Sequence, residues 1–454
     1  MITYSIIQKS QLEDISIRID PEYYQPEYLE VEKRIEKLPH KSLEEVSDSI
    51  VSFGAYALTS FIEWQEEGIP FIVAENVKEG FLNLDSARFI SEEVDEILKK
   101  SRVKEDQVLL SMSGSVGNAA VAYKIPLKLN SNQDIVKITP KKDVSPYFLS
   151  AFLNSKYGRM QVLRLPVGSV QQHIFLWQTK SLLVPTFSKK SSAQIERLYK
   201  EGLSDLEKSK SLYSQAEDLL LEELGLKNFQ VEDNLSFVAN LSEVQEANRI
   251  DADYFQPKYQ LVEETLVKKF KAKKISELDF IKVTTGQYTE KYTESNDGVP
   301  YIRGTDLSMG TIKLDDVLSI DPKRQLESKK AKEGDVVVTR VGTIGIGARL
   351  PKEVEGGTIS DNLIRLRFSQ QSLDPYYVAL FFNTVGAELM VRASRGSVQA
   401  RLNQETLKEI VLPILPKSTQ QQIADLVRKS HEARKKSKEL LEGAKRKVEE
   451  MIEK

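Results

Sequence analysis

The 454 residues contain no cysteine, which excludes disulfides, thiolate metal sites and cysteine nucleophiles. Histidine is nearly as scarce. His40, His173 and His431 are the only three and stand far apart in sequence, so a His-rich metal site is not expected. An excess of one charge is also missing: 64 Lys and Arg face 67 Asp and Glu, for a net charge of −3. With a pI of about 6.0, the totals do not describe a domain that coats nucleic acid by charge alone. Long hydrophobic runs are lacking. The longest uncharged run of interest, Gln107 to Tyr123, is broken by Ser111, Ser113, Gly114, Ser115, Gly117 and Asn118 and does not read as a membrane span. The start, Met1 to Gln8, has no basic segment leading into an apolar one, so no signal peptide is read there. The expectation is a soluble, cytoplasmic protein.

Catalytic signatures are absent as well. No Gly-rich loop runs into Lys-Ser or Lys-Thr, so there is no P-loop. Gly114-Ser115-Val116-Gly117 and Gly342-Thr343-Ile344-Gly345 are too short for a dinucleotide fingerprint and read as strand-ending turns. No Asn-Pro-Pro-aromatic or Asp-Pro-Pro-aromatic tetrapeptide occurs, the kind that holds a flipped base for amino-methylation, and neither His-Glu-x-x-His nor Gly-x-Ser-x-Gly is found. Adjacent acids such as Glu66-Glu67 and Glu92-Glu93 read as solvated surface charge. No catalytic residue, metal site or cofactor is expected.

What is present is a repeat. Hydrophobic residues make up 40% and charged residues 29%, enough for packed cores, and the length suits about two to four domains. Arg18 to Tyr28 (RIDPEYYQPEY) matches Arg249 to Tyr259 (RIDADYFQPKY) at seven of eleven positions. Further matches follow in the same order. Gly68 to Ile72 answers Gly298 to Ile302, and Val108 to Ser111 then Gly114 to Gly117 answer Val336 to Thr339 then Gly342 to Gly345. Pro146-Tyr147, Phe152 and Asn154 answer Pro375-Tyr376, Phe381 and Asn383. Arg164 and Gly168-Ser169-Val170-Gln171 answer Arg392 and Gly396-Ser397-Val398-Gln399. A period this long means duplicated domains, not a solenoid.

Each copy reads as a mixed α+β globule. Val108-Leu109-Leu110, Val336-Val337-Val338, Ile135 to Ile138 and Leu363 to Phe368 suit buried strands. Pro146 to Asn154 and Pro375 to Asn383 suit short helices with Pro at the first position. Each copy then ends in a long helix, Ser192 to Leu224 and Gln422 to Met451, with Ser192 and Ser418 or Thr419 as candidate caps. Ile195, Tyr199, Leu206, Tyr213, Ala216 and Leu220 form one narrow seam. Ile423, Val427, Leu441, Ala444, Val448 and Met451 form the other. About 30 to 35 residues give rods of about 45–50 Å. A narrow seam favours pairing with one partner helix over a helix lying on its own globule. The expected organisation is a first domain at 1–187, a helix at 188–228, a second domain at 229–415 and a last helix at 416–454.

These residues resemble the specificity subunit of type I restriction–modification enzymes. The likeness rests on two variable domains, each closed by Gly-Ser-Val-Gln, a Pro-containing strand end (Val184-Pro185, Leu412-Pro413), then Gln-Ile and a long helix. It implies two target-recognition domains separated by two long antiparallel helices, with approximate internal twofold symmetry. It also implies double-stranded DNA, two methyltransferase subunits and two restriction subunits as partners, and no chemistry in this chain. The domains differ at residues 38–67 against 268–297 and 84–104 against 314–332, so an asymmetric bipartite target is expected. Rods of this length could bridge half-sites about one DNA turn apart, 34–36 Å.

Side chains that read DNA are typically Arg, Lys, Asn and Gln, with Ser on phosphates. In the first copy Ser111, Ser113, Ser115, Asn130, Asn132 and Gln133 lie on or near Gly-rich loops; in the second, Arg340, Thr343, Ser360, Asp361 and Asn362 do. Arg164, Ser169, Gln171, Arg392, Ser397 and Gln399 recur unchanged, which suits scaffold, subunit contact or phosphate binding. Asp20 and Asp251, beside Arg18 and Arg249, read as ion pairs or turn caps. Arg428 to Lys454 carries ten Lys and Arg against six Glu and reads as a solvated helix face. Two other classes remain open: a tandem protein-interaction scaffold, which would show no salt-dependent DNA affinity, and an enzyme built from scattered carboxylates.

Overall fold

The computed structural model describes residues 4–7, 20–52, 62–166, 173–227, 236–270, 272–278, 280–295, 297–369, 373–396 and 400–454. The helices that carry the argument are α1 Pro26–Glu36, α2 Pro146–Asn154, α3 Lys156–Arg164, α4 Lys189–Leu224, α5 Pro257–Phe270, α6 Pro375–Asn383, α7 Val385–Ala393 and α8 Lys417–Ile452. The chain divides into two compact units: residues 1–207 with 434–454, and residues 208–433. Each holds one copy of the repeat and one half of α4 and of α8.

Unit 1 has seven principal strands: β1 Ser47–Val51, β2 Ile69–Ile72, β3 Arg88–Ile90, β4 Val108–Ser111, β5 Ala119–Val121, β6 Asn130–Ser131 and β7 Ile135–Pro140. An antiparallel sheet runs β1-β7-β4-β5, and a smaller one runs β3-β2-β6 with β2 and β6 parallel. Unit 2 repeats this with β8 Ile281–Thr285, β9 Val299–Ile302, β10 Leu318–Ile320, β11 Val336–Thr339, β12 Gly347–Arg349, β13 Thr358–Ile359 and β14 Leu363–Phe368. Its orders are β8-β14-β11-β12 and β10-β9-β13, again with the one parallel pair, β9 and β13. The sequence repeat is therefore a repeat of topology.

Strand alternation explains why both faces of the four-stranded sheets are apolar. Val108, Leu110, Val136 and Ile138 join one core with Phe148 and Phe152 of α2. Leu109 and Ile135 join a second core with Ile72, Val77, Ala120 and Leu129. In unit 2, Val336, Val338, Ile364 and Leu366 pack with Phe381 and Phe382 of α6, while Val337 and Leu363 pack with Ile302, Ala348 and Ile359. One position breaks the apolar pattern in both copies. Lys137 lies on the Ile135 face of β7 and Arg365 on the Leu363 face of β14, and both are buried. Lys137 Nζ donates to Ser131 Oγ at 2.8 Å, and Ser131 Oγ donates to Ser101 O at 3.2 Å. Arg365 reaches the corresponding turn directly, donating to the Ser328, Lys329 and Lys330 carbonyls at 3.2, 3.1 and 2.7 Å.

The helices α2 and α6 begin at Pro146 and Pro375, where fixed φ and a missing N–H cost nothing. Ser145 Oγ caps α2 through Phe148 N (3.4 Å), and Asp374 Oδ1 caps α6 through Tyr376 N (2.9 Å). Both helices are buried nearly all round, which is why their sequences lack a polar face.

The long helices α4 and α8 have 36 residues each, about 54 Å at 1.5 Å per residue. They begin earlier than the sequence caps indicate. Ser188 Oγ accepts from Ser191 N at 3.3 Å, so Ser188 and not Ser192 caps α4. Gln420 N bonds to Pro416 O at 3.1 Å, which places Ser418 and Thr419 inside α8. Within unit 1, Lys436 Nζ lies 2.8 Å from Asp205 Oδ2, and Gly202 faces Leu441. Within unit 2, Ser209 and Ser430 Oγ are 3.1 Å apart, and Ser430 Oγ donates to Ser209 O at 2.7 Å. In unit 1 paired numbers fall on one helix as they rise on the other, so the helices run antiparallel there.

Of the seam residues, Ile195, Tyr199, Leu206, Tyr213, Ala216, Leu220, Ile423, Val427, Leu441, Ala444 and Val448 are buried, and Met451 is partly so. The seam is not confined to helix pairing, however. Tyr199 Oη lies 2.6 Å from Ser150 Oγ of α2, and Tyr213 Oη accepts from Asn383 Nδ2 of α6 at 3.2 Å. Each half-helix thus packs on its partner and on the body of its own unit. Replacing Ser430 by Ala is expected to cost about 1 kcal/mol. Ser209→Ala is expected to cost less, because the Ser209 carbonyl still accepts; urea unfolding of both variants checks the order.

Candidate nucleic-acid interface

The recurring arginines build the frame. Arg164 of α3 donates to Tyr23 O (2.8 Å) and Glu32 Oε2 (2.8 Å), with its guanidinium 4.0 Å from the Tyr23 ring centre. Arg392 of α7 donates to Tyr254 O (3.0 Å) and Glu263 Oε2 (2.6 Å), 4.6 Å from the Tyr254 ring. Each arginine ties the Tyr-containing segment at the start of its repeat, and α1 or α5, to the body of its unit. Nε and one terminal nitrogen of each fork are occupied by these partners. Arg249 makes a two-point contact with Asp251 (2.8 and 2.5 Å), and this holds the Asp251 carboxyl below its ordinary range. Arg18, and with it the matching pair, lies outside the described residues, as do Ser169, Gln171, Ser397 and Gln399. Arg164→Lys keeps the charge but loses the fork over Tyr23. It is expected to cost unit 1 about 1–2 kcal/mol, measured as a shift in urea midpoint at unchanged slope.

The Gly-rich loops connect β4 to β5 and β11 to β12. Gly117 and Gly345 hold φ of 89° and 100°. An added Cβ would meet Val162 Cγ1 at 3.2 Å and Ala387 Cβ at 3.0 Å, so a side chain is excluded by conformation and by space. Ser111 Oγ closes the first loop, donating to Ser115 O and accepting from Asn118 N at 3.0 Å. Thr339 Oγ1 does the same in the second, accepting from Ile346 N at 3.1 Å.

The sequence-derived readers therefore separate by burial. Ser111 and Asn130 are fully buried. Asn130 Nδ2 donates to Asp95 Oδ1 (2.9 Å) and Leu98 O (3.3 Å). Neither has surface with which to meet a ligand, and both shape the frame. Ser360 is buried too, and its Oγ accepts from Asn362 N at 3.2 Å. Ser115, Thr343 and Asn362 are exposed; Ser113, Asn132, Gln133, Arg340 and Asp361 are half-buried.

Backbone bonds bring a subset together. Met112 N bonds to Asp134 O (2.8 Å), and Ile174 N to Met112 O (3.2 Å). This sets Ser113, Gln133, Asp134, His173 and Phe175 around a cleft of about 500 Å³ at one end of the unit 1 sheet. The same register holds in unit 2, where Arg340 N bonds to Asn362 O (3.1 Å) and Leu402 N to Arg340 O (2.9 Å). There Arg340 replaces Met112, Asp361 replaces Gln133, Asn362 replaces Asp134, and Arg401 replaces His173. Arg340 donates to Leu402 O (3.0 Å) and Asp361 O (3.3 Å). One frame thus carries different polar groups at matched places. The sequence reading missed His173, Phe175 and Arg401; the offset of each from its Gly-Ser-Val-Gln motif was the available signal.

A slightly larger cleft of about 540 Å³ in unit 2 is lined by Lys332, Asp335, Arg367, Asp374, Lys417 and Gln420 among others. Arg367, Asp335, Asp374 and Gln420 there are engaged with their neighbours. Arg367 lies 2.5 Å from Asp335, and Gln420 bonds Asp374 N and Leu415 O. Among the described residues no group of His, Asp and Glu could hold a metal ion, and no helix is long and apolar enough to cross a membrane.

A family model described as a type I restriction modification DNA specificity domain matches residues 37–190 and 268–442. The EcoBI type I restriction enzyme specificity subunit of Escherichia coli is 24% identical over 133 residues; the alignment takes in 29% of this chain and 28% of that subunit. Among solved structures, the S subunit of a type I restriction–modification system from M. genitalium is 14% identical with a TM-score of 0.43, over 91% of this chain and 94% of that one. The HsdS subunit from Thermoanaerobacter tengcongensis is 14% identical with a TM-score of 0.28, over 89% and 95%.

Proposed function

We propose, on the premise that the chain belongs to the family of type I restriction modification DNA specificity domains, that it is the non-catalytic DNA-specificity subunit of a restriction–modification complex. The observation that carries this reading is one frame built twice with unlike groups in the same place. Arg164 and Arg392 hold the same partners, while Gln133 and His173 stand where Asp361 and Arg401 stand. A duplicated frame with divergent tips suits two unlike half-sites on double-stranded DNA. The antiparallel helices, 36 residues each, are the proposed docking elements for two methyltransferase subunits and the ruler between half-sites. Two restriction subunits complete the complex, which acts in the cytoplasm.

A net charge of −3 leaves little counterion release to this chain. Most phosphate contacts are therefore assigned to the methyltransferase subunits. Gel-shift titrations with and without those subunits, across a salt series, test the division. Tight, site-specific, salt-dependent binding is expected only with the subunits present. Equal affinity of the chain alone overturns the division of labour. No salt-dependent DNA affinity in either case overturns the DNA reading and favours a protein-interaction scaffold.

A further inference from the structure

The Gln133 side chain leaves an acceptor unmatched beside a cleft. Its Oε1 is buried and has no hydrogen-bond partner among the described residues, although the residue borders the unit 1 cleft. The loop's other polar groups are engaged. Asp134 Oδ2 accepts from Asn132 Nδ2 at 2.9 Å, Asn132 Oδ1 accepts from Asp134 N at 3.2 Å, and the Gln133 carbonyl accepts from Ser52 Oγ at 2.6 Å. These bonds fix the backbone of the loop and leave the carboxamide unmatched. An unpaired buried acceptor is a standing cost that a ligand donor would remove.

We propose that the Gln133 carboxamide, turned about its soft terminal torsion so that Oε1 faces the cleft, reads the amino edge of an adenine in the half-site bound by unit 1, an inference that rests on the DNA-specificity reading. A carboxamide offers an acceptor and a donor side by side. Adenine presents the complement, an N6 amino donor beside the N7 acceptor. Guanine presents two acceptors there and thymine one, so both would face Oε1 with a lone pair. Cytosine satisfies Oε1 but has no acceptor for Nε2. The rim adds an apolar wall: Phe175 is 46% exposed, its ring 5.5 Å from that of His173, and Leu176 lies beside it. Such a wall suits the methyl group of the paired thymine.

Unit 2 does not share this reader. Asp361 takes the place of Gln133, and the Arg340 guanidinium lies across its carbonyl and that of Leu402. The inference is thus specific to one half-site.

The test uses the full chain with its methyltransferase subunits and a panel of duplexes in which each base pair of the methylated motif is replaced in turn. For Gln133→Leu, affinity for the cognate duplex is expected to fall about tenfold, which is about 1.4 kcal/mol. Discrimination should vanish at a single A·T pair of one half-site, and the other half-site should be read as before. Gln133→Glu, which keeps the acceptor and loses the donor, should still reject guanine and thymine at that pair. Melting curves and the intact second half-site exclude misfolding. Unchanged discrimination at every pair, an equal loss at all pairs, or a guanine preferred by the wild type at the affected position overturns the proposal. Absence of any sequence preference in the wild-type complex would instead sink the DNA-specificity reading itself.

Discussion

Replacing Asn383 by leucine is expected to cost unit 2 about 3–5 kcal/mol, and Asn154→Leu about 1–3 kcal/mol in unit 1. These asparagines end α2 and α6 and act as strand partners. Asn154 Oδ1 accepts from Ala119 N at 3.0 Å, while its Nδ2 donates to Ala119 O at 2.6 Å and Ser150 O at 2.9 Å. Asn383 repeats the pattern on Gly347, with bonds of 2.9 and 2.8 Å, and bonds Ala379 O at 2.9 Å. The carboxamide thereby closes the edge of the four-stranded sheet as a peptide group would. Leucine fills a similar volume but leaves an N–H and a C=O unpaired at Gly347, and at Ala119 the N–H alone, since the Ala119 carbonyl keeps its bond from Gly80 N at 2.9 Å; both residues are buried. Each orphaned group costs about 1–3 kcal/mol. Hydrogen exchange by mass spectrometry on the full chain separates the units: peptides over β5 should lose protection in Asn154→Leu, and peptides over β12 in Asn383→Leu. A loss below about 1 kcal/mol in either variant would mean that water replaces the side chain and that the edge is open.

The sequence makes these two residues visible as matched positions, but not as clamps. The difference illustrates where reading from residues succeeds. Pro146 to Asn154, Pro375 to Asn383 and Leu363 to Phe368 were legible to the residue because Pro at the first helical position and β-branched alternation are local signals. The duplication was legible because order and spacing survive divergence. The strand β6 was not. Asn130 and Ser131 form two residues of polar sequence whose parallel partner, β2, lies far back in the chain. Composition presents such residues as a surface site, whereas the fold buries them and spends their hydrogen bonds on its own turns. Ser111 was misplaced for the same reason: a buried hydroxyl that closes a loop and an exposed one that meets a phosphate have the same letter. The starts of α4 and α8 were missed by about one turn because Lys189 and Lys190 carry no apolar signal, and Ser188 is as good a cap by type as Ser192.

Lys137→Met is expected to raise the stability of unit 1 at pH 7 by about 3 kcal/mol, and to do so less and less as the pH rises. Burial pushes the Lys137 ammonium down from its ordinary 10.5 to about 8, and its side-chain partner is the neutral Ser131 hydroxyl. That difference corresponds to about 3 kcal/mol. Below pH 8 the folded and unfolded chains both carry the proton, so the wild type bears the whole desolvation cost. Between about pH 8 and 10.5 the unfolded chain still holds the proton while the folded one has released it. The unfolded state then binds more protons, and wild-type stability rises with pH. Above 10.5 both are neutral and the cost is gone. Methionine is close in shape and carries no charge, and Ser131 Oγ keeps its bond to Ser101 O. Urea unfolding of both proteins at pH 7, 8.5 and 10 reads the difference, in which the titration of other groups, such as the buried Tyr199 hydroxyl that burial pushes up, cancels. Arg365, the matched cation, gives the contrast. A guanidinium stays protonated through this range, so Arg365→Met should show no such pH dependence and should destabilise unit 2 by freeing the Ser328 carbonyl and leaving the Lys329 and Lys330 carbonyls with only Thr358 Oγ1 and Arg367 as donors. A gain from Lys137→Met that is flat in pH would place it in packing and not in charge, and a loss at pH 7 would show that the ammonium is held by partners strong enough to offset its burial.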